Sequence, residues 1–78
     1  MSSYQVVRVQ ASAPLLARQG GMVSAGQPIG RSVFGRSYEV APCLGTIRYI
    51  QFDAETHNLL VFILEAKSPQ GSSQDNDD

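Results

Sequence analysis

One cysteine and one histidine are the residues of this 78-residue chain best suited to nucleophilic chemistry. Cys43 could supply a thiolate, and His57 could act as its base with Asp53 or Glu55 orienting the imidazole. Cys43 lies beside Pro42 in an apolar turn, however, where a lone cysteine is usually a small buried hydrophobe. No sequence motif supports the geometry that such a site demands, so we expect no catalytic residue and no enzyme activity.

Metal and cofactor sites are not expected either. His57 has no second imidazole or thiolate near it in the sequence, which makes a poor metal site. The glycines at positions 20, 21 and 26 lack the Gly-Lys-Ser/Thr ending and the following helix of a phosphate-binding loop, so they are predicted to be turn glycines.

Residues 31–41 are typical of a β-hairpin whose tip carries an aromatic residue between two arginines. The tip falls at Phe34, Gly35 or Arg36, with Gly35 expected to supply a left-handed residue. Phe and Arg are enriched at interface hot spots, and a Phe at a tip has little core to enter. We therefore take Arg31, Phe34, Gly35 and Arg36 as candidate partner-binding residues; the alternative is a solubilising rim with one stray aromatic.

The elements that must position these residues are predicted to be strands. Residues 4–9 and 45–52 are rich in β-branched and aromatic side chains, Gly and Pro recur between the apolar segments, and no 3.6-residue apolar period persists. The alternation slips by one between Ile47 and Ile50, which predicts a bulge. The unbroken apolar run 59–64 predicts either a strand buried on both faces or one side of an interface.

Composition and charge limit the expected partners and cellular location of the protein. The formal net charge is -1, and three acids lie in the last four positions, so the remaining body is near neutral and gives no electrostatic reason to expect nucleic acid. A single cysteine allows no intrachain disulfide, which favours a reducing, cytoplasmic location. No stretch approaches the roughly 20 apolar residues that a membrane span requires. We expect one domain over residues 1–66 and a disordered acidic tail over residues 67–78.

Two segments resemble a known family. The stretch YEVAPCLGTIRYIQF at residues 38–52 is similar to the second half of biotinyl and lipoyl carrier domains, of the biotin carboxyl carrier protein type. The stretch GMVSAGQPI at residues 21–29 resembles the recurring glycine turn of the same family. The resemblance implies a small all-β barrel-sandwich hybrid, which is a flattened β-barrel, with about six to eight short strands.

The attachment lysine of that family has no counterpart in the hairpin. The matching residues 31–37 read RSVFGRS, and Arg36 is too weak a nucleophile to carry biotin or lipoate. Lys67, the one lysine of the chain, follows the last predicted strand. The resemblance therefore implies an unmodified carrier-like protein that binds a multienzyme partner, such as acetyl-CoA carboxylase or a carrier subunit, and regulates it by competition.

A second hypothesis gives the chain a structural role. The apolar run 59–64 could form an exposed strand edge that pairs with another chain, giving a homodimer or a fixed place in a larger complex.

Overall fold

The computed structural model describes residues 3–66, which form six β-strands and no helix. The all-β prediction is confirmed, at the lower end of the expected number of strands. The tail predicted for residues 67–78 lies outside the described residues. In chain order the strands are β1 (Tyr4–Gln10), β2 (Met22–Val23), β3 (Pro28–Arg31), β4 (Tyr38–Val40), β5 (Gly45–Asp53) and β6 (Asn58–Glu65).

The strands form two antiparallel sheets. The larger has the order β1-β6-β5-β2 and curls into a half-barrel, whereas β3 and β4 pair only with each other. The small sheet covers the concave side of the larger one. At the contact Gly30 is packed so tightly that an added Cβ would lie 3.1 Å from the Cβ of Val9. A side chain at position 30 would therefore require Val9 to shift by a few tenths of an ångström where the two sheets meet.

The core lies between these two sheets and is entirely aliphatic. Strands β1 and β6 pair in register from Tyr4 opposite Leu64 to Gln10 opposite Asn58, so alternate residues of each strand point inward. The buried apolar residues are Val7, Val9, Val23, Ile29, Ala41, Ile47, Val61 and Ile63.

The bulge predicted in β5 is present. The pairing of β5 with β6 shifts between Ile47 and Tyr49, which leaves Ile47 in the core and places Tyr49 on the convex face opposite Phe62. Beyond the shift, Ile50 again packs against the core. A bulge bends and twists its strand, as a curled sheet requires.

The prediction that Gly35 is left-handed is wrong. The positive φ values of the described residues belong to Gly20 (91°), Gly26 (86°) and His57 (59°). Two-residue hairpin turns need positive φ, but six residues join β3 to β4 and reverse the chain without it. In the β5–β6 turn, His57 adopts the left-handed conformation and its N–H donates to the Asp53 carbonyl at 2.7 Å.

The apolar run 59–64 does not form a sheet edge. It belongs to β6, which is hydrogen-bonded to β1 on one side and β5 on the other. Val61 and Ile63 point into the core, while Leu60, Phe62 and Leu64 are half-buried on the convex face. The free edge of the large sheet on this side is therefore β1.

Candidate functional site

The β3–β4 hairpin presents an aromatic side chain to solvent. Arg31 stands opposite Tyr38 at the ends of the two strands, and the hairpin tip, residues 32–37, extends beyond them. Phe34 is 91% exposed, and Gly35 and Arg36 are exposed beside it. Three of the four predicted partner-binding residues thus lie together on one surface.

A buried serine fixes the hairpin tip to the rest of the fold. Ser32 is 4% exposed, and its Oγ accepts the N–H of Phe34 at 3.1 Å. Its own N–H donates to the Ser37 carbonyl at 2.9 Å, and its carbonyl accepts Gln10 Nε2 at 2.8 Å. Because a buried polar group must be hydrogen-bonded, these contacts hold the backbone of Phe34 in one position.

Arg31 differs from the other predicted residues because its side chain acts on the hairpin itself. Arg31 Nη1 donates to the Arg36 carbonyl at 2.9 Å, and the guanidinium lies 5.2 Å from the centre of the Tyr38 ring. Both contacts stabilise the conformation of the hairpin tip. Arg31 is therefore a positioning residue, and Arg36 is the arginine whose side chain faces solvent.

A cleft of about 430 Å³ lies between the hairpin and the free edge of β1. Phe34 is the only predicted partner-binding residue that lines this cleft, because no local sequence pattern shows that β1 faces β4. The residues around it are Gln5, Val6, Val7, Arg8, Val33, Phe34, Glu39, Val40 and Pro42.

The convex face of the large sheet carries a second apolar surface that the sequence did not reveal. The ring centres of Tyr4 and Tyr49 are 6.1 Å apart, and those of Tyr49 and Phe62 are 6.4 Å apart in an edge-on arrangement. Val6 and Leu60 extend this surface along β1 and β6. We call the five residues the convex aromatic face.

Cys43 and His57 do not form a catalytic pair. Cys43 precedes the end of β5 where Gly45 pairs with Glu65, whereas His57 follows the end where Asp53 pairs with Asn58. A strand of this length separates its two ends by roughly 25–30 Å. Burial, together with the nearby Glu65 carboxylate, raises the pKa of the Cys43 thiol, which disfavours the nucleophilic thiolate.

The Asp53 carboxylate is also occupied by hydrogen bonds, to Thr56 in its own turn and to Arg8 on β1. Its Oδ2 accepts Thr56 Oγ1 at 2.8 Å and Arg8 Nη1 at 3.2 Å. The Thr56 hydrogen bond is the main reason why the pKa of Asp53 is lowered. The nearest aromatic neighbour of His57 is Phe52, with ring centres 5.7 Å apart, so Asp53 does not orient the imidazole through these bonds.

No group of three or more His, Cys, Asp or Glu side chains converges on a metal-sized site within residues 3–66. The same residues include no helix of the length and apolarity that crossing a bilayer requires.

Searches of protein-family models, curated proteins and solved structures give no significant match to this chain. The likeness to biotinyl and lipoyl carriers therefore stays a prediction that rests on residues 21–29 and 38–52.

Proposed function

We propose that this chain is a non-catalytic, carrier-like protein that works by binding a protein partner through the hairpin tip. The observation that carries the proposal is Phe34, which is 91% exposed on a loop held by the buried Ser32 and by Arg31. An exposed aromatic on a preorganised loop loses little conformational entropy on binding. Such residues often dominate the binding energy of an interface.

The class of partner follows from the resemblance to carriers. The resemblance implies that the hairpin tip corresponds to the site of the family's attachment lysine, and residues 31–37 contain no lysine. We expect the partner to be an enzyme that accepts a carrier hairpin, such as acetyl-CoA carboxylase or one of its carrier subunits. The chain would occupy the carrier's place without cofactor and lower the enzyme's activity by competition. The free thiol of Cys43 suits the cytoplasm, where we place this activity.

The test is affinity capture from the native lysate with the bait and the bound proteins both read by mass spectrometry. We expect carboxylase or carrier subunits in the wild-type capture, loss of them with Phe34→Ala, and a bait of unmodified mass. Phe52→Ala is the matched control, because Phe52 is 55% exposed but lies in β5 beside the β5–β6 turn. Equal capture by Phe34→Ala, or a bait heavier by a biotinyl or lipoyl group, would contradict the proposal.

A role in assembly is the second candidate, and the convex aromatic face favours it. Tyr4, Tyr49 and Val6 are each about half exposed there, and neighbouring exposed apolar side chains can mark a protein–protein interface. If the chain assembles through this face, Tyr49→Glu should reduce the sedimentation coefficient of the native particle and leave the fold intact. An unchanged coefficient excludes assembly through this face.

A further inference from the structure

The outer edge of β1 carries backbone groups that its own sheet does not use. The N–H of Glu65 donates to the Ser3 carbonyl at 2.9 Å, which makes Ser3 and Glu65 a hydrogen-bonded pair. Hydrogen-bonded and non-bonded pairs alternate along an antiparallel ladder, so the odd-numbered residues of β1 bond to β6. The N–H and C=O groups of Val6 and Arg8 therefore point away from β6 and toward the cleft.

Strand β4, which faces β1 across the cleft, also has backbone groups that its own sheet does not use. The Ser37 carbonyl accepts from Ser32, and the Ala41 N–H donates to the Gln27 carbonyl, so the odd-numbered residues face β3. By the same alternation, Val40 directs its backbone groups toward the other side, where it lines the cleft. No β-bridge joins β1 to β4 in the part of the chain that the structure describes.

We propose that this cleft binds an extended segment of a protein partner as an added β-strand. The main chain of that segment would hydrogen-bond to the outward N–H and C=O groups of Val6 and Arg8, on the free edge of β1. Only an extended peptide offers donors and acceptors with the two-residue repeat that the β1 edge presents. Gln10 Nε2 donates to the Ser32 carbonyl and ties β1 to the hairpin at one end of the cleft.

The lining of the cleft indicates which side chains the segment carries. Val7 and Val33 form an apolar floor that suits β-branched residues at alternate positions. Glu39 is half-buried at the cleft and forms no ion pair within residues 3–66. Arg8 also lines the cleft, but its guanidinium is bonded to Asp53 and Thr56. The free charge is therefore negative, and the segment carries a Lys or Arg opposite Glu39.

This inference deepens the proposed function, on which it rests in taking the partner to be a protein. Phe34 lies at the rim of the same cleft, so one partner segment can contact the hairpin tip and the β1 edge together. The two ideas are nevertheless separable, because Phe34 contributes a side chain whereas Val6 contributes its backbone.

The probe is a displayed library of random decapeptides selected on the immobilised full chain. We expect enriched peptides with alternating β-branched residues and one Lys or Arg. Synthetic copies should bind Val6→Pro at least about tenfold more weakly than wild type, which corresponds to about 1.4 kcal/mol. The proline removes only the outward N–H and leaves the β1–β6 ladder intact. Val6→Ala is the matched control, because it shortens the same side chain and keeps that N–H.

The other outcomes also decide whether the cleft binds an added strand. No enrichment over the bare support, or equal affinities for Val6→Pro and Val6→Ala, would overturn strand addition. If only Phe34→Ala loses binding, the hairpin is a contact and the added strand is rejected. If only Val6→Pro loses binding, the added strand is supported and the hairpin contact is rejected. Should Val6→Pro fail to fold, peptides N-methylated at alternate residues and tested on the wild-type chain replace it, with the same tenfold loss expected. Glu39→Gln should weaken binding of the basic peptides only.

Discussion

Ser32 shows how much of the candidate site depends on one small polar side chain. It is the one buried polar residue within residues 3–66, and its hydroxyl and both of its backbone groups are hydrogen-bonded. The hydroxyl could not have been identified from the sequence, because its burial follows from the packing of the hairpin against β1. Phe34, by contrast, could be predicted to be exposed, since a tip residue has no core to enter.

Ser32→Ala should lower the free energy of unfolding by about 1 kcal/mol, the usual net contribution of a hydrogen bond. The N–H of Phe34 would lose its acceptor, so its amide should also exchange faster with solvent. Denaturant unfolding and hydrogen exchange measure the two effects. Ser37→Ala is the control, because Ser37 is exposed and contributes its carbonyl rather than its hydroxyl. Equal losses in the two variants would contradict this role of the Ser32 hydroxyl.

Gly35→Ala should be neutral or stabilise the chain by up to about 1 kcal/mol. Gly35 does not have a positive φ, and a Cβ added there would meet nothing within 4 Å. The matched substitution Gly26→Ala should instead destabilise the fold, because Gly26 has φ 86°. Thermal unfolding of both variants checks the pair, and a destabilised Gly35→Ala would show that the tip needs glycine after all.

The Asp53 carboxylate should contribute to stability at neutral pH and cease to do so in acid. Its pKa is lowered from an ordinary value of 3.8, first by the Thr56 hydroxyl, with further contributions from the Glu55 N–H and from Arg8. A carboxylate with a depressed pKa stabilises the fold above its unfolded pKa, and this is lost as pH falls through the folded pKa. The unfolding free energy of Asp53→Asn should therefore fall less between pH 5 and acid than that of wild type. A parallel pH dependence in the two proteins would refute this.

At the scale of the strands, a feature set by local sequence could be predicted, whereas a feature set by long-range strand pairing could not. The one-residue slip between Ile47 and Ile50 is a local feature, and it predicted the bulge in β5 correctly. The position of β6 in the centre of the sheet could not be predicted, because an apolar run suits an edge at an interface as well as a strand with two neighbours. The apolar outer side of β6 is explained by its aromatic neighbours across the sheet.

Val61→Asp should unfold the monomer rather than only disrupt assembly. Val61 is fully buried and opposite residues of both neighbouring strands, Val7 on β1 and Ile50 on β5. A buried carboxylate without a partner costs several kcal/mol, a large fraction of the roughly 5–15 kcal/mol that stabilises a domain. Circular dichroism of Val61→Asp should show loss of the native fold. Val6→Asp, at a half-exposed position on β1, should remain folded. A folded but dissociated Val61→Asp would favour the structural hypothesis in its original form.

At the scale of the whole molecule, a half-barrel covered by a two-stranded sheet leaves two strand edges facing one another. The hairpin and the four candidate partner-binding residues follow from the sequence between positions 31 and 41. The opposite wall of the cleft comes from residues 5–8, at least 23 positions earlier in the chain. Nothing local to either segment indicates that they meet. The hairpin could be predicted from Phe34 between two arginines, and the geometry adds the cleft beside it.

The most direct test of hairpin binding is the dissociation constant of the captured partner for three purified chains: wild type, Phe34→Ala and Phe52→Ala. We expect Phe34→Ala to bind at least about tenfold more weakly, a loss of about 1.4 kcal/mol or more, and Phe52→Ala to match wild type. Phe34→Ala should have the same unfolding midpoint as wild type, since Phe34 contributes almost no buried surface. Equal dissociation constants for Phe34→Ala and wild type would contradict the central claim that the hairpin tip binds the partner.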